Sequence, residues 1–343
     1  MKKIAIVTIN GNYNYGNRLQ NYALKCTLEK YNLKVTNLWF VELKQFIKDF
    51  VKKIPIIRRK FVRFNKFSRF TNEFLSVKYC SKNYKDLFDF YVVGSDQVWN
   101  YTFPTYNTNM FLPFSNKNKN FSYAASFGLN SIDDSKKKEI VEGLNNLKHI
   151  SVRENKAKEI IEKLTNRTDI HVVIDPTMLL TSDEWDKIMQ KPDGLKEGKY
   201  ILCYFLGELS FEKKQEISRI SSEYDCEIIN LLDPSCKFYN CGPSEFLYLE
   251  KNAFLICTDS FHSSVFAIIF DRPFVVFDRD DKEVKMNSRI DNLLNKFKLE
   301  DRKYVNKITD SQLNHDYKTS YKILEVERNK AIRYIEKILL NDI

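Results

Sequence analysis

The chain repeats one local pattern: a short apolar run, a polar turn, then a stretch with helical periodicity. Ala253-Phe254-Leu255-Ile256-Cys257 is such a run, Thr258 to Ser264 is its turn, and Val265 to Phe270 begins the following apolar stretch. Apolar runs this short, without alternation, suit strands buried on both faces, and such strands pair in parallel. Parallel neighbours need a crossover, usually a helix, so the pattern restricts the chain to α/β architectures.

The pattern occurs in two series. In the first, strands are expected at Lys2–Asn10, Lys34–Phe40, Asp89–Val93, Phe121–Gly128, His149–Arg153 and Val172–Asp175, with helices at Asn17–Tyr31 and Glu154–Leu164. A polar connection with Pro192, Gly194 and Gly198 follows. The second series has strands at Tyr200–Leu206, Cys226–Leu232, Ala253–Cys257 and Arg272–Phe277, and helices at Phe211–Tyr224 and from Gly242 to Lys251. Tyr317 to Leu340 closes the chain as a long amphipathic helix. The 343 residues accommodate two domains. We expect a Rossmann-like domain over 1–190, a second over 191–315 and a C-terminal helix over 316–343. The fold class is α/β, two Rossmann-like domains facing across a cleft in a GT-B-like arrangement, with a return of the last helix to the first domain left open.

Ligands of doubly wound sheets sit outside the carboxyl ends of the strands, so polar residues there are the site candidates. The first series places Asn14, Asn17 and Arg18 after its first strand, Ser95, Asp96 and Gln97 after Gly94, Ser126 before Gly128, and Arg153 after Val152. The second places Glu245 at a helix start, Asp259, Ser260, His262, Ser263 and Ser264 in one turn, and Arg289 at a later helix start. An imidazole beside hydroxyls and a carboxylate suits proton transfer near neutrality, or is a satisfied histidine at a helix start. Asp96 reads as a base or as a turn cap. Arg153 opposes the dipole of the helix after it, which is understood if it serves an anion or pairs with an acid. The loop from Asn10 to Asn17 lacks a GxGxxG fingerprint and reads equally as a ligand loop or a sharp connection.

A net charge of +10 favours anionic partners. It is concentrated between Lys48 and Arg69, where nine basic residues face one acid, Asp49. Phe61, Phe64, Phe67 and Phe70 recur through the segment. Segment 48–70 reads as a helix with a packed phenylalanine side and a solvated basic face, or as an interfacial helix at an anionic membrane surface. No nucleic-acid module supports a nucleic-acid partner. No run is long enough to span a bilayer, and the seven cysteines form no CxxC, so we expect a cytoplasmic protein with reduced thiols and no metal.

Several stretches in order resemble the polysaccharide pyruvyl transferase family. They are Asn14 to Leu24, Gly94 to Asn100, Tyr123 to Gly128, Ser151-Val152-Arg153-Glu154, Asp175-Pro176-Thr177, Gly242 to Leu247, and Thr258 to His262. The resemblance implies transfer of the enolpyruvyl group of phosphoenolpyruvate to a sugar of a surface polysaccharide or its lipid-linked precursor, forming a pyruvate ketal and releasing phosphate. It implies no cofactor beyond that donor, and a first domain on the acceptor side with the second on the donor side. It implies that Arg153 holds the donor's carboxylate or phosphate and that His262 contacts the donor phosphate or moves a proton. Ketal formation needs an acid and a base, for which His262 and Asp96 or Asp259 are the candidates, unless the aspartate orients His262 instead. Many members carry Ser-Arg-Leu-His where this chain has Asp259-Ser260-Phe261-His262. Another cation must then meet the donor, with Arg289 or Arg18 expected. A nucleotide-sugar glycosyltransferase of GT-B type and a non-catalytic member of the same pathway are the alternatives.

Overall fold

The computed structural model describes residues 1–9, 14–40, 58–80, 87–279 and 288–341. Two compact units divide the chain. The first takes the described residues of Met1–Arg58, Phe67–Leu180 and Glu327–Ile343, the second those of Arg59–Lys66 and Thr181–Val326.

The first unit is built from β1 (Lys3–Val7), α1 (Tyr15–Glu29), β2 (Lys34–Phe40), most of the second half of α2 (Arg58–Phe74), β3 (Val77–Cys80), β4 (Phe90–Val93), β5 (Asn120–Ser122), α3 (Asp134–Asn145), β6 (Ile150–Val152), α4 (Asn155–Thr165) and β7 (Ile170–Val172). Its five-stranded sheet has the order β3-β2-β1-β4-β5, and every pair is parallel. Bridges Phe121–His149 and Ala125–Val152 set the β6-β7 pair beside β5. The chain therefore leaves β1 in one direction towards β2 and returns on its other side through β4, which creates a switch point between β1 and β4. Ala5, Val7, Tyr91, Val93, Trp99, Phe111, Phe127 and Val152 belong to one buried cluster.

The second unit contains α5 (Ser182–Asp186), β8 (Tyr200–Tyr204), α6 (Phe211–Tyr224), β9 (Glu227–Asn230), α7 (Pro243–Asn252), β10 (Leu255–Thr258), α8 (Phe261–Ile269), β11 (Phe274–Val276), α9 (Ser288–Phe297), α10 (Asp310–Leu313) and the first part of α11 (Lys318–Asn341). Its sheet is parallel throughout, in the order β11-β10-β8-β9. Ile201 and Cys203 join Leu255, Cys257, Val275 and the α6 residues Ile217 and Ile220 on one face. Tyr204 meets Phe246 of α7, which meets Phe266 of α8.

Most strands are shorter than the apolar runs that announce them, Lys34–Phe40 excepted. The run expected from Phe121 to Gly128 pairs as β5 only to Ser122, since Ala124 takes a positive φ of 48° and turns the chain. The stretch from Val172 ends at once, because Asp175-Pro176 begins a 3-10 turn capped by the Asp175 side chain. α1 starts two residues before the expected Asn17, with Asn14 as its cap. From Glu327 onward the residues of α11 count with the first unit, where Tyr334 donates to the Ser122 carbonyl (2.9 Å) and Arg328 to that of Met178 (2.9 Å).

Of segment 48–70, the residues up to 57 lie outside those described. In the remainder, Phe67 and Phe70 are buried, with Phe67 against Tyr15 and Phe70 against Tyr22. The opposite residues are not a solvated basic face. Arg63 is 4% exposed, lies over the Tyr239 ring (5.1 Å) and reaches its carbonyl (3.3 Å), while Lys66 pairs with Glu245. Arg69 alone of these three points outward, 77% exposed. Among the described residues no helix is long and apolar enough to cross a membrane.

Candidate functional site

In the first unit the polar turns meet at the carboxyl edge of the sheet, around the guanidinium of Arg153. β6 delivers Arg153 as its next residue, and the side chain is 3% exposed. Asp175, fully buried, holds it at 2.9 Å, Asp96 lies 3.5 Å away and Glu154 3.7 Å. Burial alone would lower the Arg153 guanidinium, but Asp175, then Asp96 and Glu154, more than offset this and leave it raised.

Each carboxylate has its own support. Asp175 accepts from Ser95 Oγ (3.0 Å), Thr177 N (3.1 Å) and Thr177 Oγ1 (2.8 Å). Asp96 accepts from Asn17 Nδ2 (2.7 Å), and Asn17 is held in the first turn of α1 by the Asn14 cap (3.1 Å). Glu154 accepts from Ser126 Oγ. Five strand ends thus contribute to one cluster with one guanidinium and three carboxylates among the described residues. Asp96 is the most exposed of the three, at 10% against 8% and 0%.

The sequence left Arg153 between an anion ligand and a partner of acids, and the structure gives it three acids. Asp175 and Thr177 stood in a recognised stretch but were not singled out. The Asp-Pro-Thr spacing was the available signal, since an Asp caps the amide two residues on. Gln97 stands at the margin of the cluster. It accepts from Asn100 Nδ2 (2.9 Å), and a Cβ on Gly128 would fall 1.7 Å from its Oε1. Arg18 is elsewhere: its Nε donates to Thr71 (2.9 Å), and the guanidinium lies 4.8 Å over the Trp39 ring. Burial lowers it to about 10.

In the second unit, Asp259 to Ser264 join β10 to α8. All nine residues of α8 are buried. Ser260 caps the helix through its backbone, receiving Ser264 N (3.1 Å) and Ser264 Oγ (3.0 Å) on its carbonyl. Ser263 Oγ turns inward to Glu250 (2.6 Å). His262 is 8% exposed, with its ring edge-on to Phe261. Asp259 accepts from the amides of Leu206 (2.7 Å) and Gly207 (2.8 Å) and from Arg279 Nε (2.8 Å). Arg279, at the end of β11, was not singled out from the sequence, because nothing local distinguishes it from its charged neighbours. Glu245 completes the α7 capping box on Gly242 N (2.9 Å) and takes Lys66. Arg289 stands half-buried in the first turn of α9.

Comparison with curated proteins gives no match. Among solved structures, a UDP-GlcNAc 2-epimerase from Neisseria meningitidis bound to UDP-GlcNAc superposes with a TM-score of 0.51 at 11% identity, covering 99% of this chain and 100% of that one. The UDP-GlcNAc 2-epimerase from Methanocaldococcus jannaschii gives 0.47 at 17% identity, covering 96% and 93%. At such identities the first likeness speaks for the fold alone. With the two parallel sheets, it makes this an α/β chain of two Rossmann-like domains, GT-B-like as expected. The model of the family described as polysaccharide pyruvyl transferase matches residues 14–281, which takes in both clusters of strand-end residues. The chain belongs to the polysaccharide pyruvyl transferase family.

Proposed function

We propose that the protein moves the enolpyruvyl group of phosphoenolpyruvate onto a sugar of a cell-surface polysaccharide or its lipid-linked precursor, forming a pyruvate ketal and releasing phosphate. The supporting observation is the cluster of Asp96, Arg153, Glu154 and Asp175, within the matched residues and at the switch point. Three carboxylates around one guanidinium are poor ground for a donor with up to three negative charges. They are good ground for sugar hydroxyls, which donate to carboxylates. We therefore read the first unit as the acceptor side and Arg153 as the residue that positions its carboxylates, with the donor on the second unit.

The chemistry needs an acid and a base. A proton added to the methylene carbon makes the neighbouring carbon electrophilic, and one sugar hydroxyl bonds to it while losing its proton. A second hydroxyl of the same sugar then bonds to that carbon, the carbon–oxygen bond to phosphate breaks, and phosphate leaves. We assign the first proton to His262 and acceptance of the hydroxyl protons to Asp96, whose carboxylate Asn17 and Arg153 keep oriented. The scheme draws on no cofactor other than the donor. Because that donor is a metabolite of the cytoplasm, we place the reaction there.

The test is phosphate release from phosphoenolpyruvate in the presence of surface glycans, with acid-labile pyruvate recovered on the glycan, beside a panel of nucleotide sugars. His262→Ala and Asp96→Asn should each lower kcat by roughly 10²- to 10⁴-fold. Turnover of a nucleotide sugar, with none of phosphoenolpyruvate by any acceptor, would overturn the reading in favour of a glycosyltransferase.

A further inference from the structure

We propose that Arg279 binds an oxyanion of the donor, and that Asp259 is its positioning residue. This rests on the donor reading above and adds to it the cation that the Asp259–His262 turn itself does not contain.

The placement follows from the sheet. β11 pairs with β10 in parallel, Thr258 beside Val276, so the two chains leave the sheet at the same edge. One continues into Asp259 and the start of α8, the other into Phe277, Asp278 and Arg279. Phe277 N donates to the Thr258 carbonyl (2.9 Å), and Lys213 Nζ holds the Asp278 carbonyl (2.7 Å). The backbone leading into Arg279 is therefore tied at both preceding residues.

Its side chain is tied as well. Nε meets Asp259 Oδ2 at 2.8 Å, with the arginine side chain 14% exposed and the aspartate 4%. Asp259 is itself fixed by the Leu206 and Gly207 amides. A Cβ on Gly207 would lie 3.0 Å from Arg279 Cδ, closer than most side chains tolerate, so glycine leaves the guanidinium its place.

A planar guanidinium carries five N–H donors and can meet one carboxylate through Nε while its fork takes a second oxyanion. Fixing it in advance removes the ordering cost of binding. The start of α8 at the same edge favours negative charge in the same direction. Arg18 lies in the other unit, with Trp39 and Thr71 as partners.

The test measures binding of phosphoenolpyruvate, inorganic phosphate and UDP by calorimetry and by ligand-induced rise in Tm, for the whole chain and for Arg279→Ala, Arg279→Lys and Asp259→Asn. Arg279→Ala should weaken phosphoenolpyruvate binding roughly ten- to hundredfold. Arg279→Lys keeps the charge and secures a folded comparison if the alanine variant unfolds. It should recover part of the affinity. Asp259→Asn should raise KM for the donor more than it lowers kcat, a split that a merely structural aspartate would not give. Unchanged phosphoenolpyruvate affinity in a cooperatively folded Arg279→Ala or Arg279→Lys overturns the proposal. Should the wild type bind UDP and not phosphoenolpyruvate, the donor reading falls. The role of Arg279 as the oxyanion ligand then stands or falls on whether Arg279→Ala loses UDP.

Discussion

Glu250 is a carboxyl without access to water, fully buried in α7 with Ser263 as its hydroxyl donor. Burial raises it well above its ordinary 4.5, with Ser263 opposing, so the folded chain keeps its proton where the unfolded chain has lost it. A raised folded value gives stability that is fully present below the unfolded value and is lost as pH rises towards the folded one. Stability should thus be fully present below the ordinary carboxylate range and fall as pH rises above it, and Glu250→Gln should flatten this fall in denaturant titrations across that range. Arg153 behaves oppositely in kind, since its charge is required by its neighbours. Arg153→Ala leaves three carboxylates together and should cost about 3–5 kcal/mol in denaturant unfolding, besides any loss of turnover. Gly94, between β4 and Ser95, has a φ of +113°, and a Cβ there would sit 2.3 Å from the Tyr123 carbonyl oxygen. Gly94→Ala should lower stability by at least about 1–3 kcal/mol, read from the same titrations.

At the scale of elements, α2 shows how little a charge run says about exposure. Its phenylalanines and arginines alternate along the chain, and helical spacing sends Phe67, Phe70 and Phe74 towards α1. The same spacing sends Arg63 and Lys66 to Tyr239 and Glu245, where a guanidinium covers an aromatic ring and an ammonium meets a carboxylate. A composition count cannot separate these two basic residues from Arg69, which is exposed. Phe67→Ala should cost about 3–5 kcal/mol, and Arg69→Ala should change stability by less than about 0.5 kcal/mol. Thermal unfolding of the pair of variants checks both.

At the scale of the molecule, the chain closes its first unit with its last residues. Ala331, Tyr334, Ile335, Ile338 and Leu339 of α11 are buried, and the Tyr334 ring lies 5.1 Å from His171. Removing residues 327–343 should uncover that apolar surface, broaden or abolish the first unit's unfolding transition and promote aggregation, as followed by calorimetry and light scattering. Such a loss is expected although no residue of the Arg153 cluster lies in the deleted segment.

The order of strands and helices was legible because hydrophobic period is a local property: Lys34–Phe40 and Phe211–Tyr224 form with the bounds their residues indicate. The emergence of polar residues at strand ends was legible for the same reason, since Ser95, Asp96, Arg153 and His262 each follow an apolar run. Partner choice was not. Arg153 takes Asp175 across 22 residues, and Asp259 takes Arg279 from the end of the next strand. No local pattern carries those pairings, because they arise when parallel strands bring their ends together and remove charged groups from water. A buried charge must then find the opposite charge that the topology places nearest. The sequence determined which segments would bury and where polar groups would emerge. The tertiary structure alone decided which charges would share a space too dry for any of them to stand alone.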